Sequence, residues 1–228
     1  MSVVVAIKSG DKVYIGADSQ VTKGGTRSTL HNPNNYKVWK VDGNEHALMA
    51  HVGAVRDANV VRLMSGLISD YDEYCGNINY RFVVKHVVPE IVNTLREANF
   101  MDGGGKIDFM NSSFLFAYKD KLYSISADCC VLEIDDYVAI GSGAPEAIGS
   151  LLCSEGEDPK QRIIKAIKAS AASDIYVDYP IIITDTDKRE FDVITENDEH
   201  KHINKPEKSD TKLDKSNKKT KDKGAVQK

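Results

Sequence analysis

The spacing of apolar residues alternates along this chain between the period of a strand and the period of a helix, and this alternation constrains the fold most. Runs rich in β-branched residues predict strands over residues 3–7, 12–17, 36–41, 46–52, 113–118, 121–126, 138–140, 181–185 and 191–195. Helical spacing predicts helices over residues 54–74, 82–99, 145–153 and 159–172, the second weakened or kinked at Pro89. The polar, glycine-containing segments 21–35 and 102–106 are predicted to be a loop and a turn.

The predicted order of elements is strands, two helices, strands, two helices and strands. A single sheet with helices on one face would leave its other face in water. Two sheets packed face to face, each covered by a helix pair, bury all of the apolar faces. We therefore predict an α+β fold, a four-layer α/β/β/α sandwich. A three-layer α/β fold is the alternative, but the hairpin-like strand pairs disfavour the long crossovers of a parallel sheet.

A charge-rich tail follows the last predicted strand. From His200 to Lys228 there are ten lysines and four acidic residues, so this segment has a net charge of about +6. Because the whole chain has a net charge of −4, the remaining residues carry a net charge of about −10. The tail has almost no large apolar residue, which predicts one domain, 2–198, followed by a disordered Lys-rich tail, 199–228. The acidic domain disfavours a nucleic-acid surface.

The cysteines and the N-terminus indicate the compartment. The four cysteines form no C-x-x-C pair and have no partnering histidines, so neither a zinc site nor a disulfide scaffold is predicted. The apolar run at the N-terminus is too short for a signal peptide, and no segment approaches the roughly 18 apolar residues of a membrane-spanning helix. We therefore expect a cytoplasmic protein that needs no cofactor or metal and contacts no membrane.

Five segments carry the most specific information about function. They are SVVVAIKSGDKVYIGADSQVT, YKVWKV, HVGAVRDA, AIGSGAPEAIGSLL and KAIKASAASDIYVD, in that order along the chain. Together they resemble the proteasome β-subunit family over roughly residues 2–196, and most closely its bacterial member HslV. Each segment alone is weakly specific, whereas five in the family's order are specific.

The resemblance implies an N-terminal-nucleophile hydrolase fold and a set of site residues. The implied positions are the nucleophile Ser2, the family acid Asp18, the family lysine Lys37, the oxyanion-hole glycine Gly53, and two auxiliary polar residues near the terminal amine, Ser142 and Asp174.

The chemistry of such a site requires a base beside a weakly nucleophilic hydroxyl. A free α-amino group, with a pKa of about 7.7–8.0, can serve as that base. Ser2 acquires this amine only when Met1 is removed, which methionine aminopeptidase generally does before a small residue. The charge of Lys37 would favour the deprotonated nucleophile, with Asp18 holding the ammonium. Lys40, three residues further along the same strand, is the alternative lysine.

Two positions depart from the family pattern. The usual nucleophile is threonine, and Ser2 lacks the methyl group that restricts the rotamer of threonine. This predicts a competent but slower nucleophile and leaves an inactive subunit open. Val177 stands where the family often has a further serine, which predicts an incomplete auxiliary network.

We predict an endopeptidase subunit that cleaves peptide bonds in unfolded proteins or peptides. The resemblance alone implies that it works inside the chamber of a homo-oligomeric double ring, with an ATP-dependent unfoldase as partner. Two alternatives remain open: a catalytically inactive ring subunit of the same fold, and an N-terminal-nucleophile amidase acting on a small molecule. The Gly-Ser-Gly segment and Lys37 disfavour the amidase.

Overall fold

The computed structural model describes residues 2–65, 67–68, 78–101, 109–188 and 190–198. The predicted tail, 199–228, and the predicted turn at 102–106 lie outside these residues. Within them the chain forms two five-stranded sheets, a two-stranded ribbon and helices on the outer faces of the sheets.

The first sheet contains both ends of the described chain. Its strands are β1 Val3–Ser9, β2 Lys12–Ala17, β10 Tyr137–Gly141, β11 Ile181–Asp185 and β12 Asp192–Ile194. They lie in the order β10-β1-β2-β11-β12, and each neighbouring pair is antiparallel. The register pairs Val4 with Ala17, so the start of β1 lies beside the end of β2.

The second sheet is formed by the middle of the chain. Its strands are β5 Val38–Lys40, β6 Ala47–Gly53, β7 Ser112–Tyr118, β8 Lys121–Ile125 and β9 Val131–Glu133. They follow one another in sequence order, and every neighbouring pair is antiparallel, as expected for strands joined by hairpins.

Helices cover the outer face of each sheet. Over the second sheet lie α1 Val55–Arg62 and α2, which is continuous through Tyr80–Phe82, Val83–Val87 and Val88–Glu97. Over the first sheet lie α3 Ala144–Cys153 and α4 Pro159–Ala171. Helix α4 begins where expected, because the side chain of Asp158 accepts from two backbone N–H groups of its first turn and proline occupies its first position.

Three apolar clusters separate the four layers. One lies between the sheets and includes Val4, Ala6, Ile15, Leu48 and Leu115. One lies between the first sheet and α3 and α4 and includes Val3, Val5, Leu151, Ile163 and Ile167. The third lies between the second sheet and α1 and α2 and includes Met49, Phe116, Val61, Ile91 and Leu95. Alternate residues of β1 thus face different clusters, as the two-residue period of a strand requires. The predicted four-layer α/β/β/α sandwich is confirmed.

The prediction of a loop over residues 21–35 is wrong. The segment contains a hairpin of β3 Gln20–Lys23 and β4 Thr26–Thr29, followed by a single 3₁₀ turn, Pro33–Asn35. Gly24 and Gly25 form the hairpin turn with φ values of 56° and 81°. Two consecutive residues with positive φ match the right-handed twist of the flanking strands, so this glycine pair indicates a hairpin rather than a loop.

The helix predicted over residues 54–74 is also too long. Helix α1 ends at Arg62, and Leu63, which a continued helical period would place on the apolar face, is 82% exposed. Leu67 and Ile68 are buried without being helical, and residues 66 and 69–74 of the predicted helix lie outside the described residues. The sequence also disfavours a helix that continues through position 66, because the residue there is glycine, which has a low helix propensity.

Smaller differences concern α2 and the strand ends. Pro89 removes one N–H from α2 and crowds the carbonyl four residues earlier, and a wider π-helical turn over Val83–Val87 precedes it without ending the helix. Strand β9 was not predicted.

Among the residues that the structure describes, no helix has the length and apolar character that crossing a membrane requires.

Candidate active site

The predicted site residues lie at the ends of strands and helices, where the two sheets meet. Ser2 directly precedes β1, and Asp18 directly follows β2 in the same sheet. Lys37 directly precedes β5 of the other sheet, and Gly53 is the last residue of β6. The site is therefore built between the sheets, because each sheet contributes part of it.

Ser2, Lys37 and Asp18 form a continuous set of hydrogen bonds. The Lys37 Nζ atom donates to Ser2 Oγ at 2.8 Å and to both carboxylate oxygens of Asp18 at 2.8 Å. It also donates to the backbone oxygen of Gln20 at 2.6 Å. The three N–H bonds of an ammonium are thus shared among four acceptors, so the position of the Lys37 side chain is fixed relative to the serine hydroxyl.

Asp18 is held in turn by the backbone. Its Oδ1 atom accepts from the N–H of Val3 and its Oδ2 atom from the N–H of Gln20, both at 2.9 Å. Sequence reasoning missed Gln20, which contributes a donor to Asp18 and an acceptor to Lys37 through its backbone. The only signal for it was its position two residues after Asp18, where an aspartate side chain commonly binds the backbone N–H.

Burial dominates the electrostatics of this pair. The side chain of Lys37 is 3% exposed and that of Asp18 is 0% exposed. Burial lowers the pKa of Lys37 and raises the pKa of Asp18, while the opposite charge of each partner counteracts the shift of the other. A positive charge directly against Ser2 Oγ therefore depends on the four acceptors of Lys37 Nζ, two of them on the Asp18 carboxylate, to offset the cost of its burial.

The Gly-Ser-Gly segment contacts the backbone of Ser2. The Ser2 nitrogen, here the amide that follows Met1, donates to Ser142 Oγ at 3.1 Å, and the Gly143 N–H donates to the Ser2 carbonyl oxygen at 3.3 Å. Gly141 has a φ of 106°, and a Cβ atom there would lie 2.1 Å from the Ser2 oxygen. Only glycine allows this close approach, so the segment closely surrounds the start of β1.

Asp174 acts at a longer range than the other predicted residues. Its Oδ1 atom accepts from the N–H of Tyr176, and its Oδ2 atom is buried without a hydrogen-bond partner among the described residues. Its charge nevertheless raises the pKa of Lys37. Val177, at the position of the family's further serine, is 3% exposed and packs in the cluster below α3 and α4, so it adds no hydroxyl to the site.

Ser170, on the last turn of α4, was not predicted. Its hydroxyl is fully buried and donates to the Gly143 carbonyl oxygen at 2.6 Å. A Cβ atom on Gly143 would lie 2.7 Å from the Cβ atom of Ser170. The contact fixes the Gly-Ser-Gly segment against α4, and neither residue's spacing in the sequence indicated it.

The turn at Gly53 is supported by buried polar groups. Gly53 has a φ of 119°, and a Cβ atom there would lie 2.4 Å from the backbone oxygen of Asn111. The Ser112 hydroxyl donates to Asp57 Oδ2 at 2.9 Å and accepts from the N–H of Ala54 at 3.1 Å. This explains the aspartate of the HVGAVRDA segment, which anchors the turn on which Gly53 lies.

A small cavity of about 60 Å³ joins these groups, and its lining residues come from both sheets and the ribbon: Ser2, Gln20, Val21, Thr22, Lys37, His51, Gly53 and Val55. Lys40, the alternative lysine, does not line it. Its Nζ atom donates to the backbone oxygens of Asp185 and Glu45, at 2.9 and 3.3 Å. Lys37 rather than Lys40 therefore lies at Ser2.

Comparisons with known proteins identify the family of this chain. A family model described as proteasome subunit matches residues 2–176. The ATP-dependent protease subunit HslV of Caldicellulosiruptor saccharolyticus is 28% identical over 184 residues, which cover 79% of this chain and 95% of that protein.

Two solved structures show the same fold. Thiobacillus denitrificans BPH in complex with epoxomicin has a TM-score of 0.61 at 17% identity and covers 80% of this chain and 97% of that chain. Eukaryotic HslV from Trypanosoma brucei has a TM-score of 0.59 at 20% identity, covering 80% and 98%. Because the family model spans most of the chain and the four layers are those of these structures, this chain belongs to the proteasome subunit family and is similar to HslV.

Proposed function

We propose that this chain is an endopeptidase subunit in which Ser2, once it is the first residue of the mature chain, is the nucleophile. The observation that carries the proposal is the position of Lys37 Nζ, 2.8 Å from Ser2 Oγ and from both oxygens of a fully buried Asp18. A buried ammonium that donates to a hydroxyl stabilises the alkoxide form of that hydroxyl, which is what a weak nucleophile requires.

The direction of the Lys37 hydrogen bond suggests which group acts as the base. Because Lys37 donates to Ser2 Oγ, the hydroxyl proton must point to another acceptor. Removal of Met1 would turn the Ser2 nitrogen into a free amine whose pKa is about 7.7–8.0, so a substantial fraction is neutral near neutral pH. Ser142 Oγ, 3.1 Å from this nitrogen, would orient the amine, and the charge of Asp174 would stabilise its protonated form.

The reaction then proceeds through an acyl-enzyme. Ser2 Oγ attacks the carbonyl carbon of the substrate, its proton passes to the α-amine, and the Gly53 N–H stabilises the developing oxyanion. The amine returns the proton to the leaving nitrogen of the peptide, which leaves an ester on Ser2. Water, deprotonated by the same amine, hydrolyses this ester and regenerates the hydroxyl.

We further propose that the subunit works inside a homo-oligomeric ring chamber and receives unfolded proteins from an ATP-dependent unfoldase. The support is the similarity to HslV, which is described as an ATP-dependent protease subunit. In this proposal a domain of about 2–198 forms the ring, and substrates reach the cavity beside Ser2 from the chamber.

Hydrolysis of a fluorogenic peptide, measured with matched variants, tests the proposal. We expect Ser2→Ala to abolish hydrolysis and Ser2→Thr to retain it, while Ser28→Ala, which changes an exposed serine of β4, leaves it unaltered. Epoxomicin should form an adduct on the peptide that begins with Ser2, because an adjacent amine and hydroxyl can both react with an epoxyketone.

Three results would contradict the proposal. Intact mass that retains Met1 in the purified ring would exclude the free amine. If Ser2→Ala hydrolyses the peptide as fast as the unmodified protein, Ser2 is not the nucleophile. If the unmodified protein shows neither hydrolysis nor an epoxomicin adduct, the chain is better described as an inactive ring subunit.

A further inference from the structure

The cavity beside Ser2 is bordered by two neutral polar side chains, each with one atom that has no hydrogen-bond partner among the residues that the structure describes. These atoms are Nδ1 of His51 and Oε1 of Gln20, and both are buried. Buried polar atoms are normally paired. Because both residues line one small cavity, a ligand group in that cavity could complete them.

His51 is held in a defined place on the cavity wall. It lies on β6, 3% exposed, and its backbone N–H donates to the Lys37 carbonyl oxygen at 2.9 Å. Its ring packs against Trp39 and Phe114, with centroid distances of 5.8 and 6.5 Å. Burial, together with the positive charges of Lys37 and Arg62, lowers the pKa of His51 to about 3. The imidazole is therefore neutral at physiological pH and offers one donor and one acceptor.

The side-chain amide of Gln20 is also held in one orientation. Its Nε2 atom donates to Thr22 Oγ1 at 3.0 Å and to the Ile175 carbonyl oxygen at 2.8 Å. Both donors of the amide are thus occupied, which assigns the remaining atom as the oxygen and leaves it as a pure acceptor. The cavity consequently presents a fixed acceptor and a neutral imidazole beside the nucleophile.

We propose that His51 and Gln20 select substrates in which the residue whose carbonyl Ser2 attacks has a short, neutral, hydrogen-bonding side chain, above all the carboxamide of asparagine or glutamine. This inference rests on the peptidase function proposed above. Ser2 and Gly53 line the same cavity, so the side chain next to the attacked carbonyl has to enter it.

A carboxamide fits this wall because it carries both kinds of group. Its N–H can donate to Gln20 Oε1, and its second N–H or its oxygen can pair with the imidazole of His51. An aliphatic side chain would leave both buried atoms unpaired, and a site built to hydrogen-bond a substrate group discriminates strongly against analogues without that group. An ionised side chain of either sign would lose its hydration in this small buried space, where the one ammonium on the cavity wall, that of Lys37, is already paired with Asp18.

The test is the ratio of kcat/KM for asparagine or glutamine to kcat/KM for leucine at the position before the cleaved bond. It uses the assembled full-length protein and a peptide set that differs only at this residue. We expect a ratio of at least about ten in the unmodified protein. His51→Leu should lower the ratio below one, Gln20→Met should lower it several-fold, and His31→Leu, which changes an exposed histidine, should leave it unaltered. The ratio within one variant does not depend on the fraction of protein that folds.

The outcomes separate the two proposals. A preference for leucine in the unmodified protein, or a ratio that neither His51→Leu nor Gln20→Met changes, overturns the selectivity while peptide cleavage stands. Absence of cleavage of every peptide, together with absence of an epoxomicin adduct on Ser2, overturns the peptidase function and the selectivity with it.

Discussion

Replacing Lys37 with methionine is expected to destabilise the folded protein because the change leaves the Asp18 carboxylate buried without its cation. Asp18 is 0% exposed and receives the ammonium on both oxygens at 2.8 Å. Removing one partner of a buried ion pair costs about 3–5 kcal/mol. The carboxylate keeps its bonds from the N–H groups of Val3 and Gln20, so we expect the lower end of this range, about 3 kcal/mol.

The cost should depend on pH with a definite sign. Burial already raises the pKa of Asp18 above the ordinary value of an aspartate, and the loss of the Lys37 charge raises it further. Below the unfolded-state pKa the carboxyl is protonated in both states, so no charge is buried. As the pH rises through the raised folded-state pKa, the folded state must ionise a buried group and the variant loses stability. The deficit is therefore largest near about pH 7.5 and smallest near about pH 4.

Urea denaturation followed by tryptophan fluorescence measures this cost. Trp39 is the single tryptophan of the chain, is 5% exposed and lies two residues from Lys37. Lys37→Met, Asp18→Asn and the double variant are compared at one protein concentration, because assembly shifts apparent stability. The double variant should be less destabilised than the sum of the single variants, since it leaves no unpaired charge. A cost for Lys37→Met below about 1 kcal/mol, or one that is equal at both pH values, would refute the reasoning.

Two further substitutions test the supports of the site. Gly141→Ala should lower the free energy of unfolding, measured by thermal denaturation, by at least about 1–2 kcal/mol and should reduce peptide hydrolysis. Alanine disfavours a φ of 106°, and its Cβ atom would collide with the Ser2 carbonyl oxygen. The control is Gly149→Ala on α3, where a Cβ atom meets open space, and it should raise the free energy of unfolding by up to about 1 kcal/mol. Ser112→Ala should cost about 1–3 kcal/mol in urea denaturation, because it leaves Asp57 buried without its hydroxyl donor. If Gly141→Ala or Ser112→Ala leaves the free energy of unfolding unchanged, the supporting role assigned to that residue is wrong.

The layers of the fold were predictable because burial imposes its period on the sequence. The strand Val3–Ser9 places alternate residues in two different apolar clusters, and the helix Pro159–Ala171 covers one of them with a single apolar stripe. The hairpin of β3 and β4 was not predicted because it is largely exposed and has no apolar alternation. The end of α1 was also missed, since Leu67 and Ile68 are buried by tertiary packing and imitate a continued helical stripe.

The site was predictable only where its residues are identified by the family pattern. Ser2, Asp18 and Lys37 lie together because their strands pair or pack, which a one-dimensional pattern can indicate once the fold is assumed. Ser170 acts through a contact between distant segments that no spacing in the sequence reports. The position of Gln20 two residues after Asp18 indicates its bond to Asp18 but not the bond that its carbonyl oxygen accepts from Lys37. Tertiary proximity of this kind becomes visible only in the folded chain.

The serine in place of threonine does not by itself imply an inactive subunit. The methyl group of threonine restricts the rotamer of a nucleophile, whereas a serine has to be held by its contacts. Ser2 is 4% exposed, its Oγ accepts from Lys37 at 2.8 Å, and its carbonyl oxygen accepts from Gly143 at 3.3 Å. Ordering one small side chain costs less than about 1 kcal/mol, and a hydrogen bond from a charged donor contributes about 1.5–3 kcal/mol. The bond from Lys37 is therefore sufficient to hold the hydroxyl, and the methyl group is dispensable in this geometry.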